Sequence, residues 1–196
     1  MRRGNTMRCL WLAAAVAVIG AVGCDDGGTG EMFPDPAFKA CVEDVIRIYI
    51  DNNLVEADDP ELYNKIDDIE CYGGGIKNLK GIENMPNIDW IAIVDNQVES
   101  LEPLRTLTKL TFLKLDNNKI KDLEPLSGLP ILANLHVDYN YISDFRTLFS
   151  VKSLRNFYIN MNCVTDFTQF DEIKESIPEI TCDGETPPEQ EPEKCQ

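Results

Sequence analysis

Apolar residues along this chain recur with a period of 22. Set in register on Ile66, Ile88, Leu110, Leu132 and Leu154, five copies align without a gap. Repeat positions 1, 4, 6, 11, 14, 17 and 20 are apolar in every copy, with Cys71 counted as apolar. The third copy reads Leu110, Leu113, Leu115, Ile120, Leu123, Leu126, Leu129. Strand side chains alternate between faces, so positions 4 and 6 point inward and positions 3, 5 and 7 point to the opposite face. Position 13 is Asn78, Ser100, Asp122, Asp144 or Asp166, all good helix N-caps, which predicts a short helical turn on the far side. Pro103 and Pro125 suit its first turn, where a missing N–H costs little. No such unit can bury its own apolar face. Copies stacked in parallel, with strands ~4.8 Å apart, bury one continuous core as a solenoid with a concave sheet.

A period in this range, with this pattern, predicts an α/β leucine-rich repeat solenoid, a short horseshoe with a parallel sheet on its concave face. Position 9 is Asn96, Asn118, Asn140 or Asn162, an amide able to pair backbone groups that cannot reach water. These asparagines are expected to be structural. The first copy has Gly74 there, within Gly73-Gly74-Gly75, and its turn is expected to be distorted. A solenoid must also close its ends. Phe38, Cys41, Val42, Val45, Ile46, Tyr49 and Ile50 follow helical spacing after Pro34 and Pro36, which predicts a capping helix over the first repeat. Residues 59–63 predict a second short turn before the first strand. Phe167, Phe170, Ile173 and Ile177 predict a closing helix that stops before Pro178. The expected organisation is an N-terminal cap at 33–65, five repeats at 66–175 and the end of a C-terminal cap at 176–182.

The two ends read differently from the repeats. Arg2, Arg3 and Arg8 precede an apolar run from Cys9 to Gly23, too short for a comfortable membrane span. Residues 1–23 therefore read as an export signal, with translation starting at Met1 or Met7. The run ends Ala21-Val22-Gly23-Cys24, which resembles a bacterial lipobox, although Ala21 stands where Leu, Val or Ile is usual. The resemblance implies lipidation of Cys24 and a protein exported to the bacterial cell envelope, anchored to either membrane. An ordinary signal peptide is the alternative. Residues 24–32 are polar and Gly-rich and read as a flexible tether. Residues 183–196 hold Pro187, Pro188 and Pro192 among acids and read as a disordered tail.

The net charge is −16, and loss of the three leader arginines takes it to −19. That excludes nucleic acid as a natural partner, because phosphates demand Lys and Arg. Of seven cysteines, Cys9 leaves with the leader and Cys24 takes the lipid. Cys41 lies on the apolar face of the capping helix and Cys71 faces inward on the first strand beneath it. Export favours a bridge between them over two small buried hydrophobes. Cys163 and Cys182 bracket the C-terminal cap and are expected to bond, leaving Cys195 over; pairing of Cys182 with Cys195 stays open.

The arrangement resembles bacterial surface leucine-rich repeat proteins of the internalin type. Phe33-Pro34-Asp35-Pro36-Ala37-Phe38-Lys39-Ala40 is similar to their N-terminal cap. Asn118-x-Ile120-x-Asp122-Leu123-x-Pro125-Leu126-x-Gly128-Leu129 is similar to their repeat. The resemblance spans residues 33–177 and implies protein or glycan binding at the cell surface. With far fewer repeats than typical adhesins, the chain gives no basis for a host-invasion role.

On the concave face, Trp90 and Phe112 at position 3 continue into His136 and Tyr158 at position 5. Aromatics outside the core are the usual anchors of protein interfaces, though cross-strand packing also stiffens a sheet. Lys114, Asp116 and Asp138 flank this stripe and complete the expected partner-binding set. Stacked Asp116 and Asp138 raise a Ca²⁺ reading, with Asp95 or Asn117 as further oxygen donors; the calcium loop motif is absent, and no metal or cofactor is expected. His136 is the only histidine, and no nucleophile elbow, zinc motif or phosphate loop occurs. The chain is expected to be a monomeric, non-enzymatic module that binds a protein. Glycan or peptidoglycan recognition, with Trp90 and Tyr158 stacking on sugar, is the alternative. A structural envelope protein without a ligand is the third reading.

Overall fold

The computed structural model describes residues 32–183 and residue 195. The expected export signal, the expected lipidation site at Cys24, the expected tether up to residue 31 and most of the acidic tail lie outside these residues. Five strands, β1 (Asp68–Tyr72), β2 (Trp90–Val94), β3 (Phe112–Lys114), β4 (Asn134–His136) and β5 (Asn156–Tyr158), pair in parallel and in sequence order. The register is that of the repeat: Trp90 lies opposite Asp68 and Phe112, and Phe112 opposite Asn134. Inward residues such as Ile69, Ile91, Leu113, Leu135 and Phe157 are fully buried in one core that runs the length of the solenoid.

The opposite side is built from short 3-10 turns, Ile82–Asn84, Glu102–Leu104, Glu124–Leu126 and Arg146–Ser150. The side chains at position 13 lead into the last three of these turns, but the cap itself falls one residue later than expected, on Leu101, Leu123 and Phe145. Asp122 Oδ1 accepts from the Glu124 N–H at 2.8 Å, and Asp144 Oδ1 from the Arg146 N–H at 2.9 Å. Tight turns put little chain on the outside of each repeat, so the solenoid stays compact.

The asparagine ladder explains the odd first repeat. Each amide serves the copy before its own. Asn118 Oδ1 accepts from the Val98 N–H at 3.0 Å, and its Nδ2 donates to the Ile93 carbonyl at 2.8 Å. Asn96, Asn140 and Asn162 repeat the pattern on Ile76, Ile120 and Ile142. No repeat precedes the first, so nothing there requires an asparagine. Gly73, Gly74 and Gly75 instead take three successive positive φ angles, 69°, 93° and 76°. Position 8 is left-handed in every later copy as well, at Asp95, Asn117, Tyr139 and Met161. Asp and Asn tolerate that conformation; Tyr139 and Met161 are held there by the surrounding ladder.

Both ends are closed by helices. Helix α1 (Pro36–Asp51) buries Phe38, Val42, Val45, Ile46 and Tyr49 over the first repeat. Asp35 caps it and reaches beyond it. One oxygen accepts from the Ala37 and Phe38 N–H groups, and the other from Lys77 and Asn78 in the first repeat. A disulfide between Cys41 and Cys71, with 5.9 Å between the Cα atoms, ties the same helix to β1. At Gly81, φ is +107° and a Cβ would collide with the Met32 carbonyl and the Phe33 ring, so the cap packs only against glycine.

The C-terminal end departs from expectation in three ways. Helix α2 (Thr168–Ser176) forms as predicted, but Phe167 does not turn inward with the other residues of position 14 and stays 37% exposed. Gln169 takes that space, 1% exposed, accepting from the Phe145 N–H at 2.8 Å and donating to the Ser143 carbonyl at 3.2 Å. A glutamine from the cap thus pairs two backbone groups of the fourth repeat beyond the Ile142 N–H that Asn162 already serves. Second, a sixth strand, β6 (Thr181–Asp183), extends the sheet beside β5. Third, Cys163 is bonded to Cys195, not to Cys182. The register places Cys182 beside Phe157, on the strand, whereas Cys163 lies six residues further on, past the turn at Met161.

Candidate interaction surface

Positions 3, 5 and 7 of adjacent strands form the concave face. The parallel register brings Trp90, Phe112, His136 and Tyr158 into one continuous ladder of rings. Trp90 and Phe112 stack face to face, with centroids 3.6 Å apart and planes 4° from parallel. Phe112 meets His136 at 5.3 Å, tilted by 40°, and His136 stacks on Tyr158 at 4.2 Å. The line shifts from position 3 on β2 and β3 to position 5 on β4 and β5, so it crosses the sheet diagonally. Position 3 continues as amides beyond the shift, where Asn156 Nδ2 donates to Asn134 Oδ1 at 2.6 Å.

This stacking has a steric consequence. Rings stacked across strands stand on edge, with their normals along the sheet. Trp90 with Phe112 and His136 with Tyr158 cover each other's inner faces, while Phe112 and His136 meet at a tilt. The outer face of Trp90, toward β1, and that of Tyr158, toward β6, lie beyond the stacked pairs.

His136 titrates below its ordinary value. Burial against the rings lowers it most, the Asp116 carboxylate opposes that, and the Lys114 ammonium adds to it. The imidazole is therefore neutral at pH 7 and packs as an aromatic ring.

Asp116 and Asp138 have a local use that the sequence did not reveal. Asp116 Oδ1 accepts from the Asp138 N–H at 3.0 Å, and Asp138 Oδ1 from the Asn160 N–H at 2.7 Å. Each carboxylate thus bonds the backbone of the next repeat where the strand ends. Asp116 also pairs with Lys114 at 3.5 Å. Asn117 Nδ2 donates to Asp95 Oδ1 at 2.7 Å. One oxygen each of Asp95, Asp116 and Asp138 is thus engaged with a nitrogen donor, and no group of three or more acidic, His or Cys side chains that could hold a metal ion occurs among the described residues.

Two features of the surface were not anticipated. Tyr72, at position 7 of β1, is 64% exposed and adds an aromatic at the N-terminal end of the face, beside Asp68 and Glu70. Its chemical type and position were legible, but its isolation from the ring ladder hid it. On the rim where the strands turn, Asn117, Tyr139, Tyr141, Met161 and Cys195 line a concavity of about 300 Å³. The Cys163–Cys195 bond supplies one wall, and no sequence signal pointed to that pairing.

The fold is a short leucine-rich repeat solenoid, and known proteins agree. The family described as Leucine Rich repeats (2 copies) matches residues 86–128. An internalin (inlF) from Listeria monocytogenes superposes with a TM-score of 0.63 at 22% identity, over 77% of this chain and 43% of that one. An internalin C2 from the same organism is 18% identical, with a TM-score of 0.41, over 78% of this chain and 95% of its own. The chain thus spans less than half the length of the first of these structures. No curated protein matches the sequence.

Proposed function

We propose that this protein is a non-enzymatic binding module that docks a protein partner on its concave face, with Trp90, Phe112, His136 and Tyr158 at the centre of the contact. The ring ladder carries this reading. Four aromatics outside the core, aligned across four strands, exceed what a solenoid sheet needs to fold. Lys114, Asp116 and Asp138 form its polar margin. A flat sugar would find the inner ring faces already stacked and only the outer faces of Trp90 and Tyr158 open to it, so the ladder taken as a whole supports a protein surface. The fold itself, shared with internalins, is one on which concave surfaces are extended and deep pockets rare.

The test is capture from envelope extract with residues 25–196 as bait, beside a Trp90→Ser/Phe112→Ser variant of unchanged melting temperature. A protein retained by the native bait and lost with the variant supports the reading. Equal retention by both overturns it. Displacement by soluble glycan would transfer the site to the glycan class.

We also propose that the module is exported and held at a bacterial membrane through lipid on Cys24. The lipobox-like Ala21-Val22-Gly23-Cys24 supports this. Two acyl signals on one cysteine give stable anchoring where a single chain does not. Fractionation after Cys24→Ser substitution tests it: the variant is expected in the soluble fraction, and retention in the membrane would defeat the assignment.

A further inference from the structure

We propose that the outer face of Trp90, with Asp68 and Glu70 on the neighbouring strand, recognises an arginine side chain of the protein partner. This rests on the concave face being the docking surface. The indole is covered on one side by Phe112, 3.6 Å away and nearly parallel, so its other side looks toward β1. That strand is one spacing away, ~4.8 Å, with Asp68 in direct register. Glu70 is in register with Ala92, whose methyl is too short to stand between the carboxylate and the indole. Trp90 is 39% exposed and Glu70 is exposed.

The chemistry of this corner selects a planar cation. An indole face attracts positive charge, and arginine stacks on it more readily than lysine does. Ionised carboxylates only accept hydrogen bonds, with about four lone-pair sites each. Asp68 takes one bond, from the Tyr49 hydroxyl, and Glu70 one, from the Tyr72 hydroxyl at 3.3 Å. Acceptor capacity remains on both. The cation on the described concave strands is Lys114, across Ala92 from Glu70; it pairs with Asp116 at 3.5 Å, and its charge also reaches the Tyr72 hydroxyl. Burial of His136 favours its neutral form. The β1–β2 end of the face is therefore acidic and aromatic together. A guanidinium lying on Trp90 would turn its N–H fork toward Asp68 and Glu70, which a neutral ring or sugar could not do.

Trp90 is the single tryptophan of residues 25–196, because the other, Trp11, lies in the leader. Its fluorescence therefore reports on this corner alone. Titration of residues 25–196 with N-acetyl-arginine methylamide is expected to perturb that emission saturably. The citrulline analogue, which keeps the shape without the charge, is expected to have no effect, and the lysine analogue to bind at least three-fold more weakly. An Asp68→Asn/Glu70→Gln variant preserves side-chain shape and the acceptor for Tyr49, and should weaken arginine binding at least five-fold. Equal response to citrulline, or an unchanged affinity in this variant, overturns the proposal.

The same variant used as capture bait separates this inference from the broader reading. Partner loss with both the Trp90→Ser/Phe112→Ser and the Asp68→Asn/Glu70→Gln baits supports both. Loss with the aromatic variant alone sinks the arginine site and leaves the concave surface standing. Loss with neither removes both.

Discussion

Single side chains hold this molecule together in ways that can be measured one at a time. The Tyr63 hydroxyl is buried without a hydrogen-bond partner, and burial followed by the charge of Glu43 pushes its titration up to about 12. An unsatisfied buried hydroxyl is a net loss, so Tyr63→Phe should stabilise the domain by about 1 kcal/mol in urea unfolding. A decrease would mean that the phenol has an acceptor. His136 offers a second test. Its folded pKa lies below the ordinary 6.5, so folding favours the neutral ring. That contribution is present above pH 6.5 and is lost as pH falls through the folded value. NMR titration should place the imidazole below 6.5, and Asp116→Asn should lower it further by removing the one charge that opposes the shift. A midpoint above 6.5 would contradict the buried stack.

At the scale of elements, the decisive joint is between helix α1 and the first repeat. Asp35 alone satisfies four backbone N–H groups, two at the helix start and two in the first repeat beyond β1. Burial raises its pKa, but the donors of Lys77, Phe38, Asn78 and Ala37 together outweigh it and hold the carboxyl below the usual 3.8. Its stabilising contribution is therefore full above about pH 3.8 and lost as pH falls through the depressed value. Asp35→Ala should cost about 2–4 kcal/mol, because a cap is lost and two further donors are orphaned. Asp35→Asn should flatten the acid limb of the stability curve near that pH. An unchanged acid limb would show that another carboxylate governs it. The element that resisted reading from the sequence was the last one. Phe167 continues the apolar pattern, yet the end of the array presents open backbone groups, and a buried Gln169 answers them better than a phenyl ring.

For the whole molecule, the two disulfides fasten the caps to opposite ends of the solenoid. Each spans a comparable stretch, with separations of 30 and 32 residues. Chain-entropy reasoning gives each roughly 3–4 kcal/mol. Non-reducing digestion of the protein produced under oxidising conditions should yield linked peptides containing Cys41 with Cys71 and Cys163 with Cys195. A peptide joining Cys163 to Cys182 would overturn the observed closure of the C-terminal cap.

Much of this architecture was readable in one dimension, for a physical reason. When every repeat meets its neighbour in the same way, a periodic pattern specifies strand, register, facing and core at once. That is why Leu113, Trp90 and Asn118 could be placed correctly without coordinates. The aromatic stripe was legible for the same reason, since repeat position alone puts Trp90, Phe112, His136 and Tyr158 on one face. Tertiary structure decided what periodicity cannot express. It chose the partner of Cys163, because β6 enters the sheet beside Phe157 and carries Cys182 away. It turned Asp116 and Asp138 from apparent surface charges into backbone acceptors, because the N–H groups they meet belong to the next repeat. It also stood the rings on edge, leaving the outer face of Trp90 to look across at Asp68 and Glu70. These outcomes depend on distances and directions between copies, or on ends where the repetition stops, and neither is written in the order of residues along a single repeat.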